Sequence, residues 1–125
     1  MDGAEFEKFL NNIFIKQGYD SRVTKTSHDF GADIIIENWD GDKRAVIQAK
    51  RYSDTVPIAA VQQVFAAMYY YDADVCLVIS NSYYSGSAVK MAEKIGVFLV
   101  DRDGLTEIIE GQRLEMVLTK SYMDR

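Results

Sequence analysis

Apolar and polar residues follow two distinct periods along this chain. Phe6, Phe9, Leu10, Ile13 and Phe14 recur at helical spacing, and Gly18 is a natural stop for the helix they predict. Residues 21–26 contain the β-branched pair Val23 and Thr24 and predict a short strand, followed by a polar loop over 26–31. Residues 33–38 and 43–51 predict two further strands. Asp40-Gly41 lies between them, and both positions tolerate the positive φ of a tight hairpin turn. Pro57 predicts a helix start, with Val61, Val64, Phe65 and Met68 as its core face. Residues 75–80 are almost purely apolar, which predicts a central strand covered on both faces. Ala88, Met91, Ala92 and Ile95 mark another helix closed by Gly96, and 97–100 another buried strand. Leu105, Ile108 and Ile109 suggest a short helix before Gly111. Beyond it, Leu114, Met116, Val117 and Leu118 need cover on the core or on a partner.

The first three strands can form an antiparallel meander, whereas the later strands alternate with helices and require parallel crossovers. The expected fold is therefore α/β, a mixed central β-sheet flanked by helices on both faces. A symmetric hairpin centred on Asp40-Gly41 pairs Glu37 with Arg44, Ile35 with Val46, and Asp33 with Gln48. Ile34, Ile36, Ala45, Ile47 and Ala49 then share one apolar face. Asp33, Gln48 and Lys50 gather at one end of the other face. Two readings of that polar group stand open. It is a solvated sheet face, or it is a site where the Asp33 carboxylate and the Gln48 amide oxygen hold a hard cation such as Mg²⁺. In the second reading Lys50 supports the nucleophile or the charged transition state.

The chain has 125 residues, the size of one domain, and 48% of them are hydrophobic. It is expected to be a single domain spanning 1–125, either alone or within a longer parent protein. Fourteen basic against 19 acidic residues give a net charge of −5. That disfavours a strong grip on nucleic acid, although a cluster of metal-binding carboxylates adds negative charge that bound metal reverses locally. Cys76 is the lone cysteine, so no internal disulfide forms, as suits a reducing cytoplasm. No apolar run approaches a membrane span, and no membrane partner is expected. Walker, HExxH, paired CxxC and GxSxG motifs are absent.

The stretch Asp29-Phe30-Gly31-Ala32-Asp33, then a hairpin, then Gln48-Ala49-Lys50-Arg51-Tyr52, resembles the catalytic core of Mrr-type restriction endonucleases, within the PD-(D/E)XK nucleases. Gly3-Ala4-Glu5-Phe6-Glu7, Gly18-Tyr19, Ala60-Val61-Gln62 and Val78-Ile79-Ser80-Asn81-Ser82 extend the likeness from Gly3 to about Leu105. The resemblance implies a metal-dependent endonuclease that hydrolyses phosphodiester bonds in DNA with Mg²⁺, Mn²⁺ substituting. It implies that Asp33 binds metal, that Gln48 replaces the usual acid, that Lys50 is the catalytic lysine, and that Glu7 rather than Glu5 completes the site. The Ala49 carbonyl is a further expected metal ligand. Asp29, Arg51 and Gln62 are expected to contact nucleic acid. Ala32 stands where the class has the proline that names it, and His28 where a small residue is usual.

Other residues have plainer readings beside the functional one. His28 and Asp29 suit a surface loop, and Gln62 and Gln63 suit ordinary polar helix positions. Tyr69, Tyr70 and Tyr71 point in different directions from a helix, so core or interface packing competes with base stacking. Cys76 reads as inert core. Two rival functions keep the fold: a non-catalytic module that binds nucleic acid or a partner protein, and a ligand-activated nuclease acting on RNA. Double-strand cleavage needs two active sites, so a homodimer is expected, and a separate targeting domain would supply the grip on DNA.

Overall fold

The structure, a computed structural model, describes residues 1–24 and 30–123, with side chains through residue 119. Among the described residues ten elements follow one another: α1 (Gly3–Lys16), β1 (Asp20–Val23), β2 (Ile34–Glu37), β3 (Ala45–Lys50), α2 (Ile58–Tyr70), β4 (Val75–Ser80), α3 (Gly86–Ile95), β5 (Phe98–Val100), α4 (Arg102–Ile109) and α5 (Leu114–Met123). The five strands lie in sequence order in one sheet. The β1–β2 and β2–β3 pairs are antiparallel, and β3–β4 and β4–β5 are parallel. The expected mixed sheet is what forms.

Each face of the sheet is closed by its own helices. Ile34, Ile36, Ala45, Ile47, Leu77 and Ile79 pack beneath Phe6, Leu10 and Phe14 of α1, with Leu105 and Ile108 of α4. Ile35, Val46, Cys76 and Val78 pack beneath Ala60, Val61, Val64 and Ala67 of α2 and Ala88 and Ala92 of α3. The reading of a solvated hairpin face is thereby overturned: α2 covers it, and Asp33 and Gln48 keep only 8% and 4% of their surface exposed.

The tail beyond Gly111 forms α5, a helix not anticipated. It buries Leu114, Val117 and Leu118 in the α1-side core and leaves Met116 exposed. Pro57 is the cap of α2 rather than its first residue. Asp2 and Glu5 form a reciprocal capping box on α1, in which each side chain accepts the other's backbone N–H.

Within the paired residues the β2–β3 register is the expected one, with Ile35 opposite Val46 and the Arg44 guanidinium on Glu37 at 2.8 Å, but the expected Asp33–Gln48 pair does not form, because the Asp33 N–H shifts to the Ile47 carbonyl. The turn is not the expected one. β2 ends at Glu37 and β3 begins only at Ala45, so residues 38–44 form a wider loop. Positive φ falls on Asn38 (52°) and Gly41 (74°), not on Asp40. Trp39 turns back to stack on Tyr19, their ring centroids 5.7 Å apart, and that contact fixes the loop against the end of α1. Among the described residues, no helix is long and apolar enough to cross a membrane.

Candidate active site

The sheet forks where β2 meets β3. Regular pairing of the two strands ends at Ile34–Ile47, while Gln48, Ala49 and Lys50 continue along β4 opposite Val78, Ile79 and Ser80. Asp33 sits just before β2, at the fork. Its N–H donates to the Ile47 carbonyl at 2.8 Å, one residue off the ladder register. Such a step releases a side chain from simple alternation, as bulges do beside active sites. The Asp33 carboxylate accepts the Ala49 N–H at 2.8 Å, where a regular ladder would offer a backbone carbonyl.

Gln48 precedes that Ala49 donor on β3 and, like Asp33, is buried. Its Nε2 donates to Gln63 Oε1 of α2 at 3.0 Å. Its Oε1 is buried and has no hydrogen-bond partner. A buried acceptor left in that state costs about 1–3 kcal/mol, so it calls for an occupant. An anionic carboxylate oxygen, a neutral amide oxygen and a backbone carbonyl such as that of Ala49 are the donor types that suit a hard divalent cation. Among the described residues no group of three His, Cys, Asp or Glu side chains converges, in keeping with an amide in place of the second acid.

Lys50 closes β3, half-buried, with Ser80 as its β4 neighbour. The segment that follows is strapped to the end of β4. Asn81 Oδ1 accepts the Tyr52 N–H at 2.8 Å, the Ser82 hydroxyl donates to the Asp54 carbonyl at 2.6 Å, and the Val56 N–H donates to the Tyr83 carbonyl at 2.8 Å. Asn81 and Ser82, which the sequence singled out only by resemblance, therefore hold the chain that leaves Lys50.

Gly31 ties the loop before Asp33 to α2. Its φ is +78°, and a Cβ there would lie 2.9 Å from the Gln63 carbonyl carbon, closer still to the oxygen. Only glycine lets the backbone approach α2 this closely. Next to it, Phe30 stacks on Tyr70 with centroids 4.0 Å apart. Tyr71 is half-buried in the core on this face, and Tyr69 and Tyr70 are exposed. Burial raises the Tyr71 phenol above its ordinary pKa, and the charges of Tyr70 and Asp33 add to the shift.

The other expected site residues fall out differently. Gln62 is exposed, and the glutamine that meets the hairpin is Gln63. Helical geometry explains the difference between the two. At ~100° per residue, Gln62 lies roughly opposite the buried stripe of Ala60, Val61, Val64 and Ala67, whereas Gln63 borders it. Glu5 is engaged in the α1 capping box. The Tyr19–Trp39 stack holds the C-terminal end of α1 at the hairpin loop. Glu7, in the first turns of α1, is half-buried. Arg51 is exposed just past Lys50. Asp29 and His28 lie outside the described residues. Cys76 is buried, and burial pushes its thiol up to about 11, which keeps it protonated and inert.

Known structures share this architecture. The protein of unknown function AF1548 superposes with a TM-score of 0.67 at 16% identity, over 95% of this chain and 67% of its own. The DNA modification-dependent restriction endonuclease AspBHI gives 0.69 at 16% identity, over 96% of this chain and 34% of its own. The MspJI restriction endonuclease, in complex with a 27-mer oligonucleotide, gives 0.53 at 18% identity, over 80% and 26%. The chain thus spans about two-thirds of the first, a third of the second and a quarter of the third. No curated protein sequence matches it. The profile of the family described as Mrr_cat, restriction endonuclease, matches residues 1–109. Sequence and fold agree, and the chain belongs to the Mrr_cat restriction endonuclease family.

Proposed function

We propose that this chain is a metal-dependent endonuclease domain that hydrolyses phosphodiester bonds in DNA at the β2–β3 fork. The observation that carries the reading is the buried, unpartnered Gln48 Oε1, one residue before the Ala49 N–H that the Asp33 carboxylate accepts. Asp33, Gln48 Oε1 and the Ala49 carbonyl would hold Mg²⁺, with Mn²⁺ substituting, and Glu7 would complete the set from α1. When bound, the cation supplies Lewis-acid stabilisation of phosphate charge and activation of water.

The chain's own groups do the rest. The Ala49 N–H orients the Asp33 carboxylate, so that it meets a cation in one fixed geometry. The Lys50 ammonium donates to a phosphate oxygen and offsets the charge that develops there. Arg51 extends the positive surface along the strand that is cut. DNA is the favoured substrate because AspBHI, which shares the fold, is a DNA modification-dependent restriction endonuclease. A net charge of −5 supports a second subunit or a separate targeting domain as the source of grip. A DNA-cleaving role and a lone reduced thiol suit the cytoplasm.

Plasmid DNA with Mn²⁺ or Mg²⁺ tests the reading. Wild-type protein should nick or linearise the plasmid, and folded Asp33→Ala and Lys50→Ala variants should lose at least about a hundredfold in rate. Equal cleavage by all three would sink the site. The neutral Gln48 gives a second reading, a binding module without catalysis. It would be supported by wild-type protein that binds DNA, cuts neither DNA nor RNA and takes up no Mn²⁺.

A further inference from the structure

We infer that Gln63 is a positioning residue for the metal site: it fixes which end of the Gln48 amide faces the fork. The inference rests on the proposed metal site and extends it to a residue on another element.

An amide side chain has two unlike ends, an oxygen that only accepts and an NH₂ that only donates. The oxygen can ligate a cation and the NH₂ cannot. Gln48 is on a rigid central strand and only 4% exposed, so rotation of its terminal amide is its main remaining freedom. The group that decides this rotation lies on α2. Gln63 Oε1 accepts from Gln48 Nε2 at 3.0 Å, and this bond turns Gln48 Oε1 away from α2, where it has no protein partner. An acceptor at position 63 thus selects the ligating orientation. A donor there would draw Oε1 toward α2 and present NH₂ to the cation.

The placement of Gln63 is itself constrained. Its backbone carbonyl is the atom against which Gly31 packs, so the chain leading into Asp33 and the helix bearing Gln63 meet without an intervening side chain. One contact thereby sets the spacing between the two proposed ligands, Asp33 and Gln48, and the residue that orients one of them. Gln63 is otherwise exposed, so its bond to Gln48 is not a by-product of deep burial. Its neighbour Gln62 has the same chemistry, points away and serves as the natural control.

The experiment is Mn²⁺ titration by calorimetry on wild-type protein and four variants: Gln63→Met, Gln63→Lys, Gln62→Lys and Asp33→Ala. Metal-free thermal midpoints report folding. Loss of a group that orients a metal ligand typically weakens binding about 10- to 100-fold. Gln63→Met, which keeps length and loses the acceptor, should weaken Mn²⁺ by that factor. Gln63→Lys, donor only, should weaken it further, whereas Gln62→Lys, with the same charge one residue away, should stay within a few-fold of wild type. In the plasmid assay Gln63→Met should need more Mn²⁺ for half-maximal rate yet approach the wild-type rate at saturation. A purely structural role would lower the rate at every Mn²⁺ concentration. Wild-type affinity in Gln63→Met, or equal affinities in the two lysine variants, overturns the inference while Asp33→Ala still upholds the site. A flat titration for wild type and Asp33→Ala alike overturns the site and the inference together.

Discussion

Gly31 shows how a single residue can carry two constraints at once. Its positive φ excludes most side chains, and its contact with the Gln63 carbonyl excludes a Cβ on steric grounds. Gly31→Ala should therefore cost about 2 kcal/mol or more, from backbone strain plus displacement of α2. Chemical denaturation measures this, and a loss under about 0.5 kcal/mol would mean that the loop relaxes freely. The sequence revealed Gly31 only as part of a motif, because the carbonyl it packs against is about thirty residues away. Asp33, Gln48 and Lys50 were singled out by alternation and a symmetric register, but Asp33 leaves that register in the structure and meets β3 through the Ala49 N–H instead, a step that a two-residue period does not foretell. Gln63 was not legible, although helical phase relative to Val61 and Val64 distinguishes it from Gln62. The buried Gln48 oxygen could not be read either, because it exists only once α2 has closed over the hairpin.

At the scale of elements, the β2–β3 hairpin separates register from turn. Burial on both faces fixed the register, because a slip of one residue would exchange Ile34 and Ile36 for Ile35 and Glu37. The turn obeyed a different rule: the Trp39–Tyr19 stack drew out a longer loop than Asp40-Gly41 needed. Glu37 holds the loop end together, gripped by Arg44 and by Arg22, each at 2.8 Å. Its hydrogen bond to Arg44, then that to Arg22, lowers its carboxyl below the ordinary 4.5. A lowered folded-state pKa means the ionised form is favoured by folding. The stabilisation is thus full above pH 4.5 and fades as pH falls through the lower folded value. Thermal midpoints of wild type and Glu37→Gln should differ at pH 7 and converge as pH drops below 4.5; a constant gap would refute this. The missed helix α5 has a simple cause. Its apolar residues were noticed, but the chain after Gly111 lacks a strong cap or a long periodic run, so only tertiary cover shows it to be helix.

For the whole molecule, α5 makes the core larger than the sequence suggested. Leu114 is fully buried against the α1 side of the sheet, and Arg113 lies 4.7 Å over the Tyr19 ring, so the last helix is anchored to the first. Leu114→Ala should destabilise by about 2–5 kcal/mol, the range for a buried leucine that leaves a cavity. A loss below about 1 kcal/mol on denaturation would show α5 to be an appendage.

The Gly31–Gln63 contact has a further consequence, for the order in which the molecule assembles. The residues of the fork, from the loop before Asp33 to the middle of α2, form one continuous stretch of chain. Closing a hairpin brings together near neighbours, whereas pairing Ala45 with Val75 and Leu77 with Phe98 closes longer loops. The hairpin should take shape first, whereas the Gly31–Gln63 contact, which closes a loop as long as that of the Ala45–Val75 pairing, completes the fork only when α2 docks. Pulsed hydrogen exchange during refolding reads this directly: the amides of Ile35 and Val46 should gain protection before those of Leu99 and Val100. The opposite order would mean that the parallel half of the sheet templates the hairpin.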